Sequence, residues 1–123
     1  MNETILNIYL IIENGYVVEY RANAYEIDGD DEDKTKYLKA KVKEDYSMAY
    51  KFNAPSDKYG KFLKYNKFAK LEDRGKHPDL YEEIFNQFNI SERPLVCVTP
   101  VVDGKIMSAD WFLFKIINHN INI

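Results

Sequence analysis

Apolar residues at the start of this chain form an unbroken run, then recur at alternate positions. Ile5–Ile12 reads Ile-Leu-Asn-Ile-Tyr-Leu-Ile-Ile. It is apolar on both parities, the pattern of a strand buried on two faces. Glu13-Asn14-Gly15 follows. Asn-Gly suits a type I′ turn, whose two central residues need positive φ. Tyr16–Ile27 then returns as the partner strand. Tyr16, Val18, Tyr20, Ala22 and Ala24 favour one face, and Val17, Glu19, Arg21 and Asn23 are mixed.

Asp28-Gly29-Asp30-Asp31-Glu32-Asp33 interrupts the pattern and reads as a turn or loop. Beyond it Leu38, Ala40 and Val42 alternate with Lys39, Lys41 and Lys43. Tyr46, Met48, Tyr50 and Phe52 then alternate with Asp45, Ser47, Ala49 and Lys51. Period two predicts two more strands with a tight turn near Glu44-Asp45. One long bent strand is the competing reading. Asn53-Ala54-Pro55-Ser56-Asp57 breaks the run, with Ser56 or Asp57 available as a helix cap.

His77-Pro78 opens a clearer helix, because Pro suits the first helical position and Asp79, Glu82 and Glu83 suit the positive end. Leu80, Tyr81, Ile84, Phe85 and Phe88 form one apolar stripe, with Phe85 in its middle, that predicts packing on the sheet. Pro94–Val102 is apolar and β-rich. Pro100 cannot donate to a ladder, which predicts an edge or bulged position. Asp103-Gly104 is a second hairpin turn, after which Lys105–Ile117 returns and the tail extends that strand or frays. The expected fold is a single α+β domain spanning 1–123. Its antiparallel sheet of about six strands follows the order ββββ-α(α)-ββ, with one or two helices packed on one face.

Charge changes this picture. The chain of 123 residues has a net charge of −3. Residues 34–76 nevertheless hold 13 of the 17 Lys and Arg against five acids, a local charge of +8, and the remainder carries −11. Such segregation allows a basic face to steer toward a polyanion despite the overall sign. The competing reading is that folding intersperses the charges again. Within the basic half, Lys58 to Glu72 reads as five triplets that each open with lysine: Lys58-Tyr59-Gly60, Lys61-Phe62-Leu63, Lys64-Tyr65-Asn66, Lys67-Phe68-Ala69 and Lys70-Leu71-Glu72. Cations interleaved with planar rings suit nucleic acid, which offers phosphates and flat bases. The plainer reading is a helix from about Ser56 to Leu71 with Phe62, Leu63 and Phe68 partly core and solvated lysines. On an α-helix successive triplet lysines drift about 60° and share no face.

Other chemistries are poorly supported. In Asp28–Asp33 the EF-hand test fails, because the sixth position is Asp33 rather than Gly and the twelfth is Lys39 rather than Glu. His77, Cys97 and His119 lack metal-ligand spacing, so no metal site is legible. Cys97, the one cysteine, lies in Leu-Val-Cys-Val and reads as a buried strand thiol; a pairing with His77 as nucleophile has no local motif behind it. Five scattered glycines make no phosphate loop. Asp110 between Ala109 and Trp111 is the oddest carboxylate, and on a half-exposed strand it points to water. No cofactor is implied, and no constellation supports an enzyme. One cysteine, no secretory signal and no apolar run long enough to span a bilayer predict a cytoplasmic protein without membrane contact.

Two functions are expected from these residues. In the first, a binding module docks a polyanion such as single-stranded nucleic acid. Lys39, Lys41, Lys43, Lys58, Lys61, Lys64, Lys67 and Lys70 then hold phosphates, and Tyr59, Phe62, Tyr65 and Phe68 offer stacking faces. In the second, the protein is a protein–protein inhibitor or adaptor, for example a phage or viral protein blocking a host nuclease or defence complex. Its interface then includes Asp28, Asp30, Asp31, Glu32, Asp33 and exposed tyrosines.

Overall fold

The computed structural model describes residues 3–54, 56–65 and 78–113. The apolar run forms β1 (Glu3–Glu13), which pairs antiparallel with β2 (Tyr16–Ile27). The turn between them is the expected two-residue one, with Asn14 at φ 52° and Gly15 at φ 83°. Between Ile11 and Ile12 the register shifts, because Ile11 opposes Glu19 while Ile12 opposes Val17. The extra residue, Val18, flips the parity of β2. Val17 is therefore buried before the bulge, and Tyr20 and Ala22 after it.

The next segment departs from the strand pattern. Asp31–Asp45 is a helix, α1, followed by a 3₁₀ turn at Tyr46–Met48 and the short strand β3 (Tyr50–Asn53) on the far edge of β2. Asp30 caps α1 by accepting from Asp33 N at 2.8 Å, and the Glu32–Lys36 ion pair spans its first turns at 3.3 Å. Lys34, Leu38 and Val42 make its buried stripe, four residues apart. Leu38 and Val42 satisfy a period of two as well as a helical one, which is why this stretch resembles strand. Ala40, inward in a strand, is exposed on the helix.

The helix at Pro78–Gln87, α2, follows the predicted stripe. Leu80, Tyr81 and Ile84 are buried, with Ile84 at 0% exposure, while Phe85 is half-buried and packs at the margin. The chain then enters β4 (Leu95–Val102) beside β1, running parallel to it from Ile5–Leu95 to Ile12–Val102. The strands β5 (Lys105–Ile106) and β6 (Asp110–Leu113) pair antiparallel with β4. Among the described residues the sheet thus has six strands in the order β3-β2-β1-β4-β5, with β6 also on β4. It is mixed rather than antiparallel, because the crossover through α2 returns the chain alongside β1. The Asp103-Gly104 turn forms as expected, with φ of 49° and 84°.

The helices α1 and α2 do not share a face. Leu6, Ile8, Leu10, Tyr20, Ala22, Val96 and Val98 pack with Leu80, Tyr81 and Ile84 of α2. Ile5, Tyr9, Ile27 and Val101 pack with Leu38 and Val42 of α1 on the other side. The central strand β1 is consequently covered twice, as its apolar run requires. Pro100 sits fully inside β4 rather than at an edge, but its partner is broken there. β5 ends opposite Val101 and β6 begins opposite Val98, so three residues, Met107-Ser108-Ala109, bulge past Thr99 and Pro100. Met107 N donates to Pro100 O at 2.8 Å, so the proline presents the side lacking an N–H to this bulge.

Candidate functional site

The described triplet residues form a tight loop rather than a helix over 56–64. Gly60 N donates to Asp57 O at 3.0 Å and Asp57 N to Lys61 O at 2.7 Å. This is a tight turn closed by a left-handed residue, and Gly60 supplies it at φ 79°. Asp57 Oδ1 accepts from Tyr59 N at 2.8 Å and Lys61 N at 3.0 Å, so the loop's one carboxylate is engaged in shaping it. Ser56 and Phe62 face each other across the loop in an isolated bridge.

The loop is fastened to the β1–β2 turn. Val17 N donates to Leu63 O and Tyr65 N to Gly15 O, both at 2.9 Å, and Tyr16 bridges Lys64. Leu63 and Tyr65 pack against the core beneath α2, so Tyr65 is a half-buried anchor rather than a free ring. Lys64, between them in an extended segment, points the other way and is exposed. Tyr59 is 73% exposed and Phe62 48% exposed, and Lys58 Nζ lies 5.0 Å from the Tyr59 ring centroid. Among the described residues Lys58, Lys61 and Lys64 have no acidic partner. Tyr16, 39% exposed, extends the same aromatic and basic surface.

The other candidate residues are placed elsewhere. Lys39, Lys41 and Lys43 lie on α1, whose anchor residues occupy the sheet face opposite the one that holds Leu63 and Tyr65. The helix also separates them from one another: Lys39 and Lys43 share a face, and Lys41 approaches Glu44 at 3.8 Å. Lys67, Phe68, Lys70 and His77 lie outside the described residues. Of the acidic run, Asp28, Asp30, Glu32 and Asp33 are exposed, and Asp31 opens α1. Cys97 is buried in β4, as its setting predicts.

Under α1 the sheet carries a polar inclusion that the sequence pattern does not reveal. Thr99 Oγ1 donates to Asn7 Oδ1 at 2.9 Å, and Cys97 Sγ lies 3.8 Å from Thr99 Oγ1; all three residues are fully buried. Among the described residues Asn7 Nδ2 has no close hydrogen-bond partner, although the amide lies near enough to the Tyr9 hydroxyl to favour its ionised form slightly. Only the placement of Asn7 in an apolar run hints at it. Nearby, Tyr9 donates to Val42 O at 2.6 Å and Tyr25 to Asp45 Oδ2 at 3.0 Å. Burial, followed by the negative charge of Asp45, holds the Tyr9 hydroxyl protonated well above the ordinary phenol range.

Among the described residues no group of three or more His, Cys, Asp or Glu is placed to hold a metal ion, and no helix is long and apolar enough to cross a membrane. No protein-family model, curated protein or solved structure matches the chain.

Proposed function

We propose that the protein is a non-enzymatic binding module for a polyanion with flat faces, single-stranded nucleic acid, and that it docks this ligand on the loop 57–64. The observation that carries the reading is the exposure of Tyr59 and Phe62 between three lysines that have no acidic partner among the described residues. Exposed aromatic rings offer flat faces to unpaired bases, and such stacking is worth about 1–3 kcal/mol per base. The loop is also set before binding, through Asp57, Gly60 and the bonds to the β1–β2 turn, so little ordering entropy opposes docking. Lys58, Lys61 and Lys64 supply phosphate contacts, Tyr59 and Phe62 supply stacking, and Tyr65 holds the loop on the core.

Fluorescence anisotropy with a labelled oligonucleotide tests this, run as a salt titration. Replacing Tyr59 by Ala weakens binding by about 1–3 kcal/mol and leaves the salt slope unchanged, because no charge is lost. An unchanged affinity for Tyr59→Ala, with the unmutated protein binding, would remove stacking from the reading.

A protein–protein inhibitor or adaptor is the second reading. One observation favours it: Met48 is 80% exposed and adjoins Tyr50, 53% exposed, on the edge strand β3. The acids Asp28, Asp30, Glu32 and Asp33 would then form the polar part of the interface.

A further inference from the structure

The aromatic and basic surface does not stop at the loop 57–64. Strand alternation sorts the residues beside it onto two faces of the sheet. Leu63 and Tyr65 turn into the α2 core, as do Val17 and Tyr20 of β2 and Phe52 of β3. Phe62, Lys64, Tyr16, Lys51 and Asn53 therefore turn to the opposite face, and all of them are exposed. Tyr16 and Lys64 face each other in a bridge, while Lys51 opposes Arg21 and Asn53 opposes Glu19 on the same edge of β2. The segment around Lys64 and the strand β3 thus lie end to end along β2, and the loop springs from the sheet between them. From Tyr16 to Arg21 the strand covers about 15 Å, too far for one phosphate to serve both Lys64 and Lys51.

Charge gives this strip a direction. Among the described residues Lys51 and Lys64 have no acidic partner. The carboxylate of Glu19, which lies between them, is taken up by Arg21, and the Arg21 guanidinium also stands 4.9 Å from the Tyr46 ring centroid. Glu13 is exposed and opposes Tyr16 from β1, on the inner side of the strip. Its charge repels phosphate and favours a backbone laid along the outer edge, past Lys64 and Lys51.

We infer that the ligand continues from the loop onto this face of β2 and β3. Tyr16 stacks a further base beyond those on Tyr59 and Phe62, and Lys51 holds a further phosphate. The inference rests on the nucleic-acid reading of the loop and narrows the ligand to an extended run of unpaired nucleotides, since a mononucleotide reaches only part of the surface.

The test uses the ¹⁵N-labelled full chain and an oligothymidylate of about twelve nucleotides, within the site sizes of single-strand binding folds. The oligonucleotide gives saturable amide shifts at Tyr16, Lys51 and Asn53 together with those at Tyr59 and Lys61. In anisotropy titrations Lys51→Ala lowers the log–log salt slope by about 0.7, the worth of one single-strand phosphate contact. Tyr16→Ala weakens binding about five- to a hundredfold and leaves the slope unchanged. Lys39→Ala removes the same charge elsewhere, beside a cleft of about 410 Å³ between α1, β4 and the segment 107–109, and changes neither quantity. Shifts confined to the loop, or equal slopes for Lys51→Ala and Lys39→Ala, overturn the extension and leave the loop reading standing. No shift at any residue overturns the loop reading and the extension with it.

Discussion

The two faces of the sheet are built from the same strands yet differ in kind. Under α2 every inward residue of β1 is aliphatic: Leu6, Ile8, Leu10 and Ile12, joined by Val96, Val98 and Ile84. Under α1 the alternate residues are Ile5, Asn7 and Tyr9, with Cys97 and Thr99 beside them on β4. The first face is a continuous apolar core and gives rigid footing to Leu63 and Tyr65, hence to the loop. The second gives up apolar burial for a buried hydrogen bond, an amide nitrogen with no close partner among the described residues, and a cleft. Close apolar packing therefore concentrates on one side of β1, and buried polar groups are retained on the other.

Truncating the α2 face has the largest effect. Ile84→Ala lowers stability by about 2–5 kcal/mol, as for other aliphatic residues removed from close-packed cores. Denaturant unfolding measures it, and a loss below about 1 kcal/mol would show that α2 is loosely seated.

Alkaline pH tests both faces together, through Tyr20 under α2 and Tyr9 under α1. Burial is the main cause that raises both hydroxyls well above the ordinary phenol range. The folded values exceed the unfolded value of about 10, so the contribution is complete below that pH and is lost as pH rises toward the folded values. Above about pH 10 each tyrosine lowers stability by about 1.4 kcal/mol per pH unit. Tyr9→Phe removes one such share of the slope. A slope unaltered by that variant would mean that Tyr9 ionises freely in the folded protein.

The polar inclusion gives a smaller and more diagnostic change. Thr99→Val strands the second polar atom of Asn7 and costs about 1–3 kcal/mol. Adding Asn7→Leu removes the orphan and restores most of that loss, because replacing both partners of a buried hydrogen bond by apolar groups is close to neutral. Additive losses in the double variant, measured in the same unfolding experiment, would show that Asn7 and Thr99 do not act as a unit.

Legibility in the sequence follows the same division. The β1–β2 hairpin, the Asp103-Gly104 turn and α2 were readable because Asn-Gly, Asp-Gly and an uninterrupted stripe each permit one local structure. The helix α1 was not. Lysines at 39, 41 and 43 make a helix look like a strand, since Leu38 and Val42 fit either period. The contrary signal lay in Asp30 as a cap, the Glu32–Lys36 spacing and lysines gathered toward the negative end, read instead as an acidic loop and a basic strand. The parallel entry of β4 depends on a crossover that no local pattern records. The loop 57–64 was marked by its triplets, but its shape comes from Asp57 and Gly60. The polar floor under α1 requires Asn7 and Thr99 to meet across 92 positions of chain.

The most direct measurement compares two triple substitutions of equal charge change in the salt dependence of oligonucleotide binding. Lys58, Lys61 and Lys64 become Ala in one protein, and Lys39, Lys41 and Lys43 become Ala in the other. If the loop holds the phosphates, the first set lowers the log–log slope by about two units, near 0.7 per single-strand phosphate contact, and the second leaves it nearly unchanged. Equal losses from both sets would mean that overall charge, not the loop, draws the ligand. No binding by the unmutated protein at low salt would contradict the nucleic-acid reading outright.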